Sequence, residues 1–526
     1  MMVLMAGVPC AAAYGQAQKT PVKHGSSYVA ARDTSPVKQD TIPVTTRSAD
    51  ARHDYEMGML HYEDLLLVDS GISLLRQAVK ADPHFALGHA MLGFVTFDPV
   101  EAHRHRALSK QLIANASPDE RLLIRWLNGT KDGQIVPAIA AMNDLLAKYP
   151  NDKQFANTVA GWLCSNEQAY DHGAEILERL LAKDPEYAPA MNNLAYCYAL
   201  GGRARLAPPV MDKYVAALPD QPNPQDSYAE ISRMMGNFEG ALEHFNHALK
   251  MDPSFTSSQV GLASTYALMG EQERARAEYL KAEEMTKDAA TIMNYRLLWA
   301  MTYFRENKIE EGRKAHAEVA EAAQKQGFAV QEAEAHRAMA LFNPDVKGAL
   351  RDLDAARAVL SEKHVLSAGD RDTELATILQ TRAYIAANAG EKAAAKEALA
   401  PLTEMARTSR SNLVQQSYHS ANGATLLLEG MYADAVSELQ YDPRNPLSLQ
   451  LLAEAETKAG EPAAGRDALL RLAGIYDERV ETAYAAPKAR AKLNNAPASN
   501  SQPAAVLKPA PVASTRATGF RGGPLQ

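Results

Sequence analysis

Proline recurs in the first half of the chain at positions 83, 118, 150, 185, 219 and 253, never more than 35 residues apart. Its ring blocks the preceding helical turn and it has no N–H to donate, so it marks where helices stop. So regular a spacing fixes a structural unit of about 34 residues, repeated along the chain. The stretch "EGALEHFNHALKMDPSF", Glu239 to Phe255, shows what such a unit ends with. Ala241, Leu242, Phe245, Ala248 and Leu249 follow the i, i+3, i+4, i+7, i+8 spacing of one apolar helix face, and Asp-Pro closes the helix. "ERLLAKDPEY" and "LLRQAVKADPHF" close in the same way at Pro185 and Pro83.

The first half of each unit also repeats. In "SYAEISRMMGNFEGALEHFNHALKMDP" an apolar helix runs to Gly236 and a second begins near Ala241. In "GLASTYALMGEQERARAEYLKAEEM" the turn glycine is Gly270, and Ala275, Tyr279 and Ala282 take the roles of Ala241, Phe245 and Ala248. In "NNLAYCYALGGRARLAPPVMDKYVAALP" the set is Gly202, Ala207, Met211 and Tyr214. Glycine permits the positive φ that ends a first helix. The alanines let two helices approach, and the large residue fills the space between units.

These residues resemble the tetratricopeptide repeat, whose pattern places small residues at positions 8 and 20, aromatics at 11 and 24, alanine at 27 and proline at 32. The resemblance covers nearly all of Arg52 to Ala485, with twelve unit starts at 52, 87, 119, 154, 188, 222, 256, 293, 330, 376, 416 and 446. It is specific from 119 to 286 and degenerate in the units at 87, 330 and 416. It implies an all-α fold, a right-handed superhelical solenoid of helix-turn-helix repeats with disordered flanks. Around "SEKHVLSAGDRDTEL" the phase breaks. The expected organisation is therefore a repeat block over 51–360, an irregular joint over 361–375 that uncouples the two sides, and a second block over 376–486.

The flanks differ in composition. Residues 1–17, within "MMVLMAGVPCAAAYGQAQKT", resemble a secretory signal that ends at Gly15-Gln16-Ala17, although the positive n-region is missing. Export to the periplasm or beyond is the expectation, with a cytoplasmic location as the alternative. Cys10 stands in "GVPC", which departs from the usual lipobox. Residues 18–50 read as a flexible linker and 487–526 as a disordered Pro/Ala-rich tail. No acidic residue follows Glu481, so the basic tail can make weak contact with an anionic surface. Cys164 and Cys197 fall mid-helix among apolar residues, and free buried thiols are expected rather than a disulfide.

A net charge of −8 argues against a nucleic-acid binder, and no run approaches the roughly 18 apolar residues of a membrane span. No GxxxxGK[ST], GxGxxG or GxSxG motif is present. His103 and His105 stand on different helix faces. His244 and His247 share one but lack a third metal ligand, and solvated histidines are expected. No cofactor, metal or catalytic residue is assigned.

What the resemblance implies instead is a concave face formed by first helices, lined by positions 2, 5, 9, 12 and 13 of each unit. The candidates are Phe155, Thr158, Trp162 and Asn166, then Asn192 and Tyr196, then Asp226, Glu230 and Arg233. Asn193 occupies one position of the carboxylate clamp of chaperone-binding members. Thr158, Trp162, Asn223 and Ser227 do not complete it, so chaperone C-terminus capture is not expected. The reading is a non-catalytic scaffold that binds peptide or protein partners in the cell envelope. A small-molecule or glycan sensor (or a catalytic site) on the same face and a cytosolic regulatory adaptor are the other readings, and the oligomeric state is left open.

Overall fold

The computed structural model describes residues 40–64, 68–361 and 366–495. Segment 1–17, most of the linker and the tail beyond Asn495 lie outside those residues. Twelve antiparallel helix pairs follow one another. The first four are α1 (Ala49–Met59) with α2 (Val68–Ala81), α3 (Ala86–Val95) with α4 (Pro99–Gln111), α5 (Pro118–Lys131) with α6 (Ile135–Lys148), and α7 (Lys153–Ser165) with α8 (Tyr170–Lys183). Next come α9 (Ala188–Leu200) with α10 (Ala207–Ala217), α11 (Pro222–Met234) with α12 (Phe238–Met251), α13 (Thr256–Met269) with α14 (Gln272–Glu284), and α15 (Ala289–Arg305) with α16 (Ile309–Gln326). The last are α17 (Ala329–Leu341) with α18 (Val346–Ser361), α19 (Ala368–Ala389) with α20 (Lys392–Thr408), α21 (Asn412–Glu429) with α22 (Tyr432–Leu439), and α23 (Pro446–Lys458) with α24 (Pro462–Ala473). A single helix, α25 (Val480–Asn495), closes the array, and no β-strand occurs among the described residues.

The repeat residues do what their chemistry suggests. Gly270 ends α13 at φ 91°, where a Cβ would be strained. Gly261 lets two units meet, since a Cβ there would lie 2.2 Å from the Phe245 ring. Ala241, Phe245 and Ala248 are fully buried between units. Pro83, Pro185 and Pro253 sit in the turns after second helices, whereas Pro118 opens α5, where its missing N–H costs nothing. Ser117 and Glu120 complete a reciprocal cap at that helix start.

Three boundaries differ from the sequence expectation. Residues 40–48 are extended but held: Ile42 N donates to Asp152 (2.9 Å), Thr45 N to Glu120 (2.6 Å) and Thr46 Oγ1 to Asp82 (2.5 Å). Side chains at the edges of successive units thus take up the backbone donors of a segment too polar to show helical periodicity. In the expected joint, Ser367 caps α19, which begins at Ala368 and runs through the phase break. At the far end α25 reaches Asn495, and Arg490 donates to the carbonyls of Ala473 and Ile475. Lys488 and Arg490 therefore belong to the folded array.

The superhelix meets itself after about seven repeats. Lys131 pairs with Asp370 at 3.3 Å, 239 residues away. Asn412 donates to the Glu167 carbonyl (2.7 Å) and, through its backbone N, to the Glu167 carboxylate (3.2 Å). The Arg444 guanidinium lies 4.4 Å from the Tyr170 ring centroid, and Phe238 meets Tyr476 edge-on at 5.3 Å. The turn between α24 and α25 then crosses the inner side. Glu478 pairs with Arg233, the Asp477 carbonyl accepts from Arg305 (3.2 Å), and Glu481 pairs with Arg337. The blocks on either side of the phase break are thus packed against one another rather than uncoupled.

Candidate partner-binding channel

Stacking of the two superhelical turns encloses much of the concave face and leaves an inner cavity of about 540 Å³. Its walls come from both turns: Phe94 of α3, Lys131 of α5, Thr158 and Trp162 of α7, Asn193 of α9, and Glu374 of α19.

The nine candidate residues divide. Thr158, Trp162 and Asn166 line the cavity. Thr158 is half-buried and Asn166 exposed, while Trp162 is largely buried, with its ring edge-on to Trp126 at 6.1 Å. Phe155 is buried against the same Trp126 at 5.5 Å and serves the core. Asn192, Tyr196, Asp226 and Arg233 are also buried, which corrects the expectation that they face an open groove. Tyr196 donates its hydroxyl to the half-buried Glu230, Asp226 accepts from Ser258 (2.6 Å), and Arg233 is taken by Glu478. Here the array's own second turn and neighbouring helices occupy the positions that the repeat pattern offers to a partner.

Two expectations about sulfur and imidazole are also overturned. Cys164 of α7 and Cys197 of α9 form a disulfide that ties together two first helices whose other residues line the cavity. Both cysteines fall at facing positions of consecutive units, so the 33-residue separation, close to one repeat, was the signal for pairing. His105 is buried and hydrogen-bonds His89 ring to ring at 2.7 Å, and burial beside that second imidazole lowers it to about 4. His244 is half-buried, bonded to Gln225 (2.7 Å) and stacked on Tyr228.

Residues that the repeat pattern did not single out set the channel's chemistry. Asn193 donates to the Asn157 side-chain oxygen at 2.9 Å, and both residues line the cavity while more than nine-tenths buried. The pair leaves one amide donor group and one amide acceptor without a partner among the described residues, whichever way the two amides are turned. Five carboxylates and two cations line the space. Asp370 is neutralised by Lys131 and held by Ser367 Oγ (2.6 Å). Asp372 pairs with its neighbour Arg371 at 3.2 Å. Arg106 is buried and donates to the Gly93 carbonyl (3.3 Å). Burial raises the Glu167 carboxyl, and it raises Glu374 to about 7, helped by Asp370 and opposed by Arg337. Among the described residues no group of three or more side chains is arranged to hold a metal, and no helix is long and apolar enough to cross a membrane.

No family model matches the chain. A curated relative, a TPR repeat-containing protein of Bacillus subtilis (YpiA), is 24% identical over 165 residues. That match takes in 31% of this chain and 39% of the relative's own length. Among solved structures, a tetratricopeptide repeat protein from Parabacteroides merdae is 14% identical over 55% of this chain and 99% of its own, with a TM-score of 0.34. Yeast Tom70 is 14% identical over 79% of this chain and 98% of its own, with a TM-score of 0.38. With twelve helix pairs at this period and the repeat residues in their places, the chain is an all-α solenoid of helix-turn-helix repeats.

Proposed function

We propose that the protein is a non-catalytic scaffold that binds an extended segment of a protein partner within its inner channel. The observation that carries this reading is the Asn157–Asn193 pair on the wall of the 540 Å³ cavity. Each residue of an extended chain brings one N–H and one C=O. The pair offers one open acceptor and one open donor, buried where a mismatched ligand group would lose its water without replacement. Trp162 and Phe94 beside them supply apolar contact for alternate side chains. The Cys164–Cys197 bridge, together with the signal-like start, supports a site of action in an oxidising compartment such as the cell envelope.

The test is selection of a random dodecapeptide display library on the full chain. Thr158→Trp, which narrows the cavity, serves as the counter-target. Selected peptides should bind the parent and bind the narrowed variant at least about tenfold more weakly, with both proteins equally helical. Equal binding to both, or no enrichment, removes the channel as a peptide site.

A further inference from the structure

The cavity wall carries more negative charge than it neutralises. Of its five carboxylates, Asp370 and Asp372 have cationic partners, and Glu63 is engaged in contacts of its own. Both wall cations are engaged, Lys131 with Asp370, and Arg106 with the Gly93 carbonyl and the charges of Asp370 and Asp132. Glu374 has no hydrogen-bond partner or ion pair among the described residues, and Glu167 accepts only from the backbone N of Asn412. Two half-buried carboxylates thus line the cavity without an ion-pair partner, Glu374 feeling only the field of Arg337, which is itself paired with Glu481. Independently, the buried Asn157–Asn193 pair presents unpartnered amide groups to the same space. Burial raises both carboxyls, and a cation bound beside them would draw them back to the ionised form.

From this arrangement we infer that the channel selects extended segments carrying lysine or arginine, whose cation compensates Glu167 and Glu374. The inference rests on the peptide-binding reading above and specifies its chemistry. An ammonium or guanidinium entering the cavity restores to these carboxylates the interaction they lack, in a site where screening by water is reduced. The aromatic wall, with Trp162, Phe94, Phe97 and Phe328, suits the aliphatic stems of the same two side chains and the cations themselves. An acidic segment meets uncompensated like charge and is rejected.

The selected dodecapeptides provide the test. They should be enriched in lysine and arginine relative to the unselected library and depleted in aspartate and glutamate. A synthetic peptide of the commonest class, followed by fluorescence anisotropy, should bind the Glu167→Gln/Glu374→Gln variant about tenfold more weakly than the parent. Its affinity for the parent should also fall between 50 and 300 mM salt more steeply than its affinity for the variant. Glu374→Asp, which keeps the charge, should retain most of the binding, so that a packing effect is told apart from a charge effect. Peptides that need the open cavity but lack cationic residues, or that bind parent and double variant alike, overturn the charge inference and leave the peptide reading standing. No enrichment, or equal binding to Thr158→Trp, overturns both.

Discussion

Asp226 shows how a residue can read correctly for local structure and wrongly for its surroundings. It falls on the inner side of α11, as the repeat register implies, yet it is 1% exposed and bonded to Ser258. Burial, with the like charge of Glu230 next, raises its carboxyl to about 7. An unfolded aspartate titrates near 4. Its contribution is therefore fully present below about pH 4 and is lost as pH rises toward about 7, because the folded state holds a proton that the unfolded state has released. Asp226→Asn keeps an acceptor for Ser258 and removes that ionisation. Its melting temperature relative to the parent should rise steadily between pH 4 and pH 7 and level off above, a difference that paired thermal melts would measure. A difference independent of pH would show that Asp226 is ionised inside the fold. The buried histidines act in the opposite direction. His316, like His105, is lowered to about 4 by burial, so stability that depends on it is lost as pH falls from about 6.5 toward 4. That is why the comparison must be made against the parent at each pH.

Among the elements, the pairing of α7 with α9 matters most for the channel. These first helices carry Asn157, Thr158, Trp162 and Asn193, and the Cys164–Cys197 bridge fixes one against the other. Alkylation of the denatured native protein should leave both cysteines unmodified until a reductant is added, as peptide mass spectrometry would report. Ready labelling without reductant would remove the bridge and its support for an oxidising compartment. Cys164→Ala/Cys197→Ala should lower stability by about 2–4 kcal/mol, the usual range for a native bridge. The helices themselves were legible: the unit starts at 188, 222, 256 and 446 coincide with the first residues of α9, α11, α13 and α23. At α19 the sequence start of 376 falls inside a helix that begins at Ala368. Its N-terminal turns follow no repeat consensus because they pack against α5 of the other superhelical turn, where Gly369 lies 2.8 Å from the Lys131 carbonyl measured from an added Cβ. The segment 40–48 escaped notice for a related reason. The backbone donors of Ile42, Thr45 and Arg47 are satisfied by side chains 35 to 110 residues away, which no local period reveals.

For the whole molecule, the decisive fact is that the array is long enough to meet itself. Repeat solenoids are commonly treated as one-dimensional, each unit touching only its neighbours. Here Lys131–Asp370, Arg233–Glu478 and Arg337–Glu481 join units far apart in sequence, and the last two pairs are largely buried. Breaking a buried pair by removing one partner costs about 3–5 kcal/mol, because the remaining charge is left uncompensated. A protease site inserted between residues 361 and 366 should therefore give two fragments that still elute together in gel filtration. Arg337→Ala should weaken that association, and separate elution of the unmutated fragments would show that the turns do not hold each other. What the sequence alone determined is the unit: helix spacing, turn glycines, alanine contacts and closing prolines all act within about 34 residues, so their signal repeats and can be counted. What only the tertiary structure decided is which inner positions stay open. That depends on turns returning after about 240 residues, where single contacts such as Glu478 with Arg233 carry no period. Local chemistry thus specified the repeat, while the channel, its unpaired carboxylates and its buried amides arise from how one turn closes on the next.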